Sequence, residues 1–283
     1  MNIAHPKLER VRQWSRQEDT IRALVITGSH ARDDGTTDEF SDLDIQVISA
    51  DLNRFTADDS WLDMLGEVWI RFPLNQNVPF RLVWFRGGIK VDFQFIDLED
   101  MPSIALSEEY ARGYHILLDK DNLFHDLPPS TRGLPQQPPP NTADVQNTIN
   151  EFRFEALHVA QFIRRRDFWV VKHRDWTMKC DLLRMLAWQA RILNAEPLNT
   201  SRLGRRLSCW ADDTLKAAVE GIWAGWEAEA LWDALFLQLM LFQRLAEAVT
   251  DALHCEYPAE TYSEIEAYIR SLWRDARSAS ATD

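Results

Sequence analysis

The 283-residue sequence predicts an α+β chain in two parts, a small mixed sheet with helices over residues 1–135 and a C-terminal helical bundle over 136–283. Three observations carry this reading. Before residue 127 short β-rich runs alternate with helical patterning. Between 127 and 141 the stretch LPPSTRGLPQQPPPN, whose prolines lack amide donors, breaks every regular pattern and marks a linker. Beyond it, apolar residues recur at helical spacing with few strand signals.

Taken in chain order, a helix is expected before Arg22, then strands at 24–27 and 45–48, a helix around 60–70, strands at 80–85 and 91–96, and a helix around 101–110. In the second half, helices are expected at 149–164, 180–193, 231–253 and 262–273. The sequence contains no internal repeat.

Composition narrows the function classes. The formal net charge of −13 disfavours non-specific nucleic-acid binding, which needs Lys and Arg to neutralise phosphates, and suits a polycationic partner. The acidic excess is uneven: residues 1–135 hold 23 Asp and Glu against 14 Lys and Arg, residues 136–283 hold 21 against 17. The N-terminal stretch has charges spread through it and shows no secretory or transit signal. No segment reaches the roughly 20 uninterrupted apolar residues of a membrane span, so a cytoplasmic protein is expected. Cys180, Cys209 and Cys255 are far apart and lack zinc or redox spacing, which predicts buried or idle thiols.

The chemistry concentrates in ALVITGSHARDDGTTDEFSDLDIQVISA, residues 23–50. A β-rich run ends in Gly28-Ser29, where the missing side chain of Gly28 lets backbone approach a phosphate and Ser29 adds a hydroxyl to the amide donors of the turn. A second run opens with Asp42 and Asp44, one residue apart and therefore on one side of a strand. Two adjacent carboxylates repel unless a cation lies between them, and hard oxygen ligands suit Mg²⁺. Asp92, inside the strand-like GGIKVDFQFI, needs a compensating partner if it points into a sheet face, and a metal shared with Asp42 and Asp44 would supply one.

This order resembles the nucleotidyltransferase superfamily that includes DNA polymerase β: an apolar strand, Gly-Ser, Asp-x-Asp, then a distant third carboxylate. GSHAR, FSDLDIQVI, Phe55, SWLDMLGE from Ser60 and IKVDFQFIDLED further resemble the aminoglycoside 6-adenylyltransferases, which inactivate streptomycin. So do EFRFEALHVAQFIRRRDFW, CDLLRMLAW from Cys180, ALFLQLMLFQRLAEAV from Ala234 and HCEYP from His254, so the resemblance spans nearly the whole chain.

The resemblance implies an N-terminal nucleotidyltransferase domain facing a helical substrate-binding domain, with nucleotide and aminoglycoside in the cleft between them. It places Gly28 and Ser29 on the triphosphate of ATP, Asp42 and Asp44 on magnesium ions, and Asp92 at the third carboxylate position. The expected reaction is transfer of AMP from ATP to a hydroxyl of a small cationic acceptor, streptomycin at its 6-position in the first instance. Two metal ions held by carboxylates would align attacking oxygen, α-phosphate and leaving pyrophosphate, and Asp92 could take the acceptor's proton.

Arg32 is a candidate charge clamp on the triphosphate. In the basic, aromatic stretch around 164–179, Lys179, with Arg184 beyond it, is a candidate to close on the triphosphate, and Glu155, Trp169, Asp175 and Trp176 to meet the acceptor's cationic groups. Trp223, Trp226 and Trp232 are expected in core packing, and His158, His173 and His254 in structural or surface roles. Two alternatives stay open: a nucleotidyltransferase acting on a protein, metabolite or tRNA acceptor, and a non-catalytic nucleotide-binding or antitoxin-like module.

Overall fold

A computed structural model describes residues 6–32, 34–35, 37–75, 78–104, 106–131, 137–194, 198–200 and 203–280. The chain divides into two compact units, Met1–Pro135 and Gln136–Asp283. Of the proline-rich stretch expected as a linker, 132–136 lie outside the described residues, while 127–131 and 137–141 carry no regular structure.

In the first unit, helix α1 (Pro6–Gln17) leads into strand β1 (Ile21–Ile26), and β2 (Leu43–Ser49) returns antiparallel to it. Short helices α2 (Asn53–Thr56) and α3 (Trp61–Leu65) precede the hairpin of β3 (Val68–Asn75) and β4 (Pro79–Phe85), which turns into β5 (Ile89–Asp97). Two more short helices, α4 (Met101–Ile104) and α5 (Glu108–Arg112), and strand β6 (His115–Asp119) complete it. The sheet order is β3-β4-β5-β2-β1-β6, and among the described residues β2 and β5 form the one parallel pair.

Strand alternation gives the sheet two unlike faces. Ile45 and Val47 of β2, Val83 and Phe85 of β4, and Val91, Phe93 and Phe95 of β5 are buried with Val11 and Trp14 of α1 and Trp61 and Leu65 of α3. Trp14 stacks on Trp61 with ring centroids 4.8 Å apart. On the opposite face Ile48 and Ile96 pack under Met101, Tyr110 and Phe124. Asp44 and Asp92 share that second face at its other end, four residues before Ile48 along β2 and four before Ile96 along β5.

The sequence reading differs from the structure in three places here. The helix expected around 60–70 ends at Leu65, because Gly66 adopts φ +141° and Lys7 donates to the Leu65 carbonyl at 2.9 Å. The β-branched and aromatic run VWIRF then forms β3 at the sheet edge. The helix expected around 101–110 is two short helices, with Ser107 extended before the second. Strand β6 was not foreseen, its five residues being too few to show alternation against background.

The second unit contains α6 (Thr142–Arg165), α7 (Phe168–Leu193), α8 (Leu207–Trp210), α9 (Asp213–Gly221), α10 (Ala228–Ala252) and α11 (Ala259–Ser280). Asn141 caps α6 by accepting from the Asp144 amide at 2.8 Å. Its core is built from α6, α7 and α10, with Phe152 stacked on Phe242. Helix α7 begins twelve residues before the expected 180 because its first half buries Asp175 and Lys179 against each other in place of an apolar stripe. The three cysteines are free. No helix among the described residues is long and apolar enough to cross a membrane.

Candidate active site

The site grows from the end of β1. Ile26 pairs with Ile45, and the next amide, Thr27 N–H, donates to the Asp44 carbonyl at 3.0 Å, so the turn that follows lies beside Asp44. Gly28 opens a single 3-10 turn (Gly28–Ala31) with φ +68°. A Cβ at this position would stand 1.7 Å from Asp44 Oδ2, so both the backbone conformation and the close approach of the carboxylate demand glycine. Ser29 is buried, and its carbonyl accepts from the Thr37 hydroxyl at 2.7 Å. Arg32, expected to face a triphosphate, donates through Nε to Asp34 Oδ2 at 2.8 Å.

Register brings the carboxylates together. Asp42 immediately precedes β2, Asp44 is its second residue, and the parallel pairing places Asp44 opposite Asp92 of β5. One oxygen from each of Asp42, Asp44 and Asp92 lies within 4.8 Å of the others, and all three residues are half-buried. Lys90, which sequence reasoning missed, donates from Nζ to Asp42 Oδ2 at 2.6 Å and to Asp92 Oδ2 at 2.7 Å. Burial works to lower the Lys90 pKa, but its hydrogen bonds to Asp42 and Asp92 and their charges raise it above the ordinary value.

The three carboxylates bring hard oxygen donors together within reach of one ion. That donor set, beside a cradle that any Cβ would fill, fits a divalent cation of the Mg²⁺ type.

A buried amide ladder underlies the triad. Gln46, two residues after Asp44, donates to Gln94 Oε1 at 2.9 Å and to Glu109 Oε2 at 3.2 Å, and accepts from the Tyr110 hydroxyl at 2.7 Å. Gln46 and Gln94 are the next same-face register pair after Asp44 and Asp92. Burial raises the Tyr110 pKa and keeps its phenol a donor. Strand alternation alone would have flagged the two glutamines, whereas Lys90 needed the neighbouring strand.

The expected residues of the helical unit lie in a polar layer of α6, α7 and α10 and at its aromatic rim. Glu155 is buried and accepts from Arg174 Nη1 at 2.9 Å. Asp175 is held by Lys179 and by Gln238 Nε2 at 2.7 Å. Burial lowers the Lys179 pKa, partly offset by Asp175. Arg184 donates to Asp181 Oδ1 at 2.9 Å and Thr148 Oγ1 at 3.1 Å. Both cations expected at the triphosphate, Lys179 and Arg184, thus have carboxylate partners inside their own unit.

Trp169 and Trp176 are exposed. Trp169 meets Trp226 with centroids 6.4 Å apart and Trp176 meets Trp223 at 6.1 Å, while Lys179 Nζ lies 4.9 Å from the Trp223 ring. The expectation that Trp223, Trp226 and Trp232 are core residues holds for Trp232 alone, since Trp223 and Trp226 are exposed. They lie in the irregular stretch between α9 and α10, where helical spacing has no meaning.

Comparison with known proteins identifies the family. The model of the streptomycin adenylyltransferase family matches residues 1–272. An aminoglycoside 6-adenylyltransferase of Campylobacter jejuni is 23% identical over 257 residues, 88% of each chain. Proteins of the same name from Staphylococcus aureus (26% over 192 residues, 64% of this chain and 67% of that one) and Bacillus subtilis (23% over 258 residues, 85% and 88%) also match. Among solved structures, an aminoglycoside 6-adenyltransferase from Bacillus subtilis aligns over 95% of this chain and 99% of its own, with 17% identity and a TM-score of 0.47.

Proposed function

This chain belongs to the streptomycin adenylyltransferase family, and we propose that it transfers AMP from ATP to a hydroxyl of an aminoglycoside, with streptomycin at its 6-position as the acceptor and Mg²⁺ as the metal. The observation that carries the reading is the convergence of Asp42, Asp44 and Asp92 within 4.8 Å beside the Gly28 turn. The names of the relatives, all aminoglycoside 6-adenylyltransferases, support the acceptor class.

In this reading Asp42, Asp44 and Asp92 hold the metal. When bound, Mg²⁺ supplies charge neutralisation for the triphosphate and for the charge that develops on the departing pyrophosphate. The chain's own groups do the rest. The Gly28–Ser29 turn lets phosphate oxygens approach backbone amides that a side chain would screen. Asp92 accepts the proton of the attacking hydroxyl, a role open to a carboxylate within hydrogen-bond reach. Lys90, bonded to Asp42 and Asp92, keeps these carboxylates close and limits their mutual repulsion. The Gln46–Gln94 pair fixes the β2–β5 register that sets Asp44 opposite Asp92.

The helical unit is proposed to contribute acceptor contacts through the exposed rings of Trp169 and Trp176, whose faces suit guanidinium and ammonium groups. Asp175 supports that surface from within through Lys179, whose ammonium lies against the Trp223 ring that meets Trp176.

The test is pyrophosphate release from ATP with Mg²⁺ in the presence of streptomycin, spectinomycin, kanamycin or no acceptor, repeated with Asp42→Asn. Release with streptomycin, reduced on the order of 10³-fold in the variant, is the expected result. Release with another aminoglycoside alone would correct the acceptor, and silence on all of them from folded, ATP-binding protein would overturn the antibiotic reading.

A further inference from the structure

Resting on the reading that Asp92 meets the acceptor hydroxyl, we propose that the outer end of the sheet, Leu82 and Trp84 of β4 with Ile70 and Phe72 of β3, is the wall on which the rings of the acceptor lie. The register carries the argument. Across β4 and β5 Leu82 stands opposite Asp92, and Trp84 stands opposite Lys90. Across β3 and β4 Phe72 stands opposite Leu82, and Ile70 opposite Trp84. Residues directly opposite in a ladder share a face, so one continuous surface runs from Asp44 through Asp92 to the edge strand.

That surface is apolar and open. Trp84 is 39% exposed, and Ile70 and Phe72 are each 56% exposed, whereas Val83 and Phe85 on the other face of β4 are fully buried. Large apolar side chains displayed together beside a carboxylate triad are out of place in a purely structural sheet. Their position along the sheet selects the ligand. The Gly28 turn follows β1, Asp42 and Asp44 stand at the start of β2, Asp92 belongs to β5, and the wall to β4 and β3, in the spatial order of the strands.

Phosphates held at the Gly28 turn occupy the β1 side, which leaves the β4 side for a molecule whose hydroxyl reaches Asp92. With strands about 4.8 Å apart, the distance from β5 to β3 is roughly 10 Å, enough for two linked rings of a saccharide. The apolar C–H faces of such rings pack against Leu82 and Phe72, and a guanidinium lies over the Trp84 indole. The positive charge of Lys90, opposite Trp84, is matched by Asp42 and Asp92, which removes a repulsion that a cationic ligand would otherwise meet.

The experiment measures pyrophosphate release by Trp84→Ala, Leu82→Ala and Phe72→Ala with Mg²⁺, ATP and streptomycin, alongside light scattering and thermal melts. The acceptor KM is expected to rise about tenfold in Trp84→Ala and about threefold in Phe72→Ala, with the ATP KM within about twofold of wild type. Trp84→Phe should restore most of the loss. Phe72 lies on the exposed edge strand, so its variant keeps the test decisive if Trp84→Ala or Leu82→Ala folds poorly. An unchanged acceptor KM in Trp84→Ala and Phe72→Ala, in an enzyme whose wild type turns over, overturns the wall and leaves the adenylyl-transfer reading intact. Dissociation of a wild-type dimer by these variants with the acceptor KM unmoved assigns the face to a second copy and also overturns it. A wild type inactive with every aminoglycoside overturns both.

Discussion

The two units treat charge in opposite ways. In the sheet unit, Asp42, Asp44 and Asp92 crowd within 4.8 Å of one another, with Lys90 bonded to two of them. In the helical unit buried charges are paired: Asp175 with Lys179 and Gln238, and Glu155 with Arg174. Burial of a charge therefore does not by itself mark chemistry here. A fold that holds like charges together against their repulsion has a reason beyond stability, while a matched buried pair serves packing and register.

The largest test of that contrast is Gly28→Ala. The new methyl would meet the Asp44 carboxylate and strain a backbone at φ +68°, so turnover should fall on the order of 10²–10³-fold. Steady-state kinetics and a melt, read together, check that activity falls far more than stability. A variant that retained wild-type turnover would show that the closeness of turn and carboxylate is incidental.

A smaller effect is expected from the matched side. Asp175→Asn leaves the buried Lys179 without its counter-charge and should cost about 2 kcal/mol of stability by denaturant unfolding. Replacing both residues, as Asp175→Leu with Lys179→Met, should recover much of that loss. Non-recovery would mean that the pair does more than pack.

The smallest effect concerns Asp181. Burial, with Glu151 and Glu155 nearby, lifts its pKa to about 7 against the pull of Arg184. A carboxyl raised in the folded state binds its proton more tightly there than in the unfolded chain, so it favours folding below the ordinary carboxylate range. That advantage is lost as pH rises towards about 7. The wild-type melting temperature should fall by a few degrees across that window relative to Asp181→Asn, which carries no such titration. Parallel pH profiles for the two proteins would show that Asp181 ionises normally and is as well matched as Asp175.

What was legible in the sequence follows from range. Gly28, Ser29, Asp42 and Asp44 lie in a single strand–turn–strand segment whose chemistry is written in consecutive residues, and Asp92 could be added because strands declare themselves by alternation. Lys90 carried no such mark, since a lysine two residues from an aspartate is unremarkable until β2 lies beside β5. Trp223 and Trp226 misled because helical spacing was applied across an irregular segment. The start of β3, residues 68–70, was read as the end of a helix because Gly66, the residue that ends α3, is an effective stop only in the conformation it adopts against Lys7 and Arg10.

The sequence by itself determined the family, the mixed sheet followed by helices, and the identity of three carboxylates and a glycine turn, because local patterning and short-range motifs depend only on neighbours along the chain. Tertiary structure alone decided which charges oppose one another. The parallel β2–β5 register aligns Asp44 with Asp92 and sets Gln46 against Gln94 beneath them, and the β4 and β3 registers extend that face to Leu82, Trp84 and Phe72. Cross-strand neighbours are set by hydrogen-bond pairing between strands, across 48 positions for Asp44 and Asp92, and the residues of one strand do not state which strand will lie beside it.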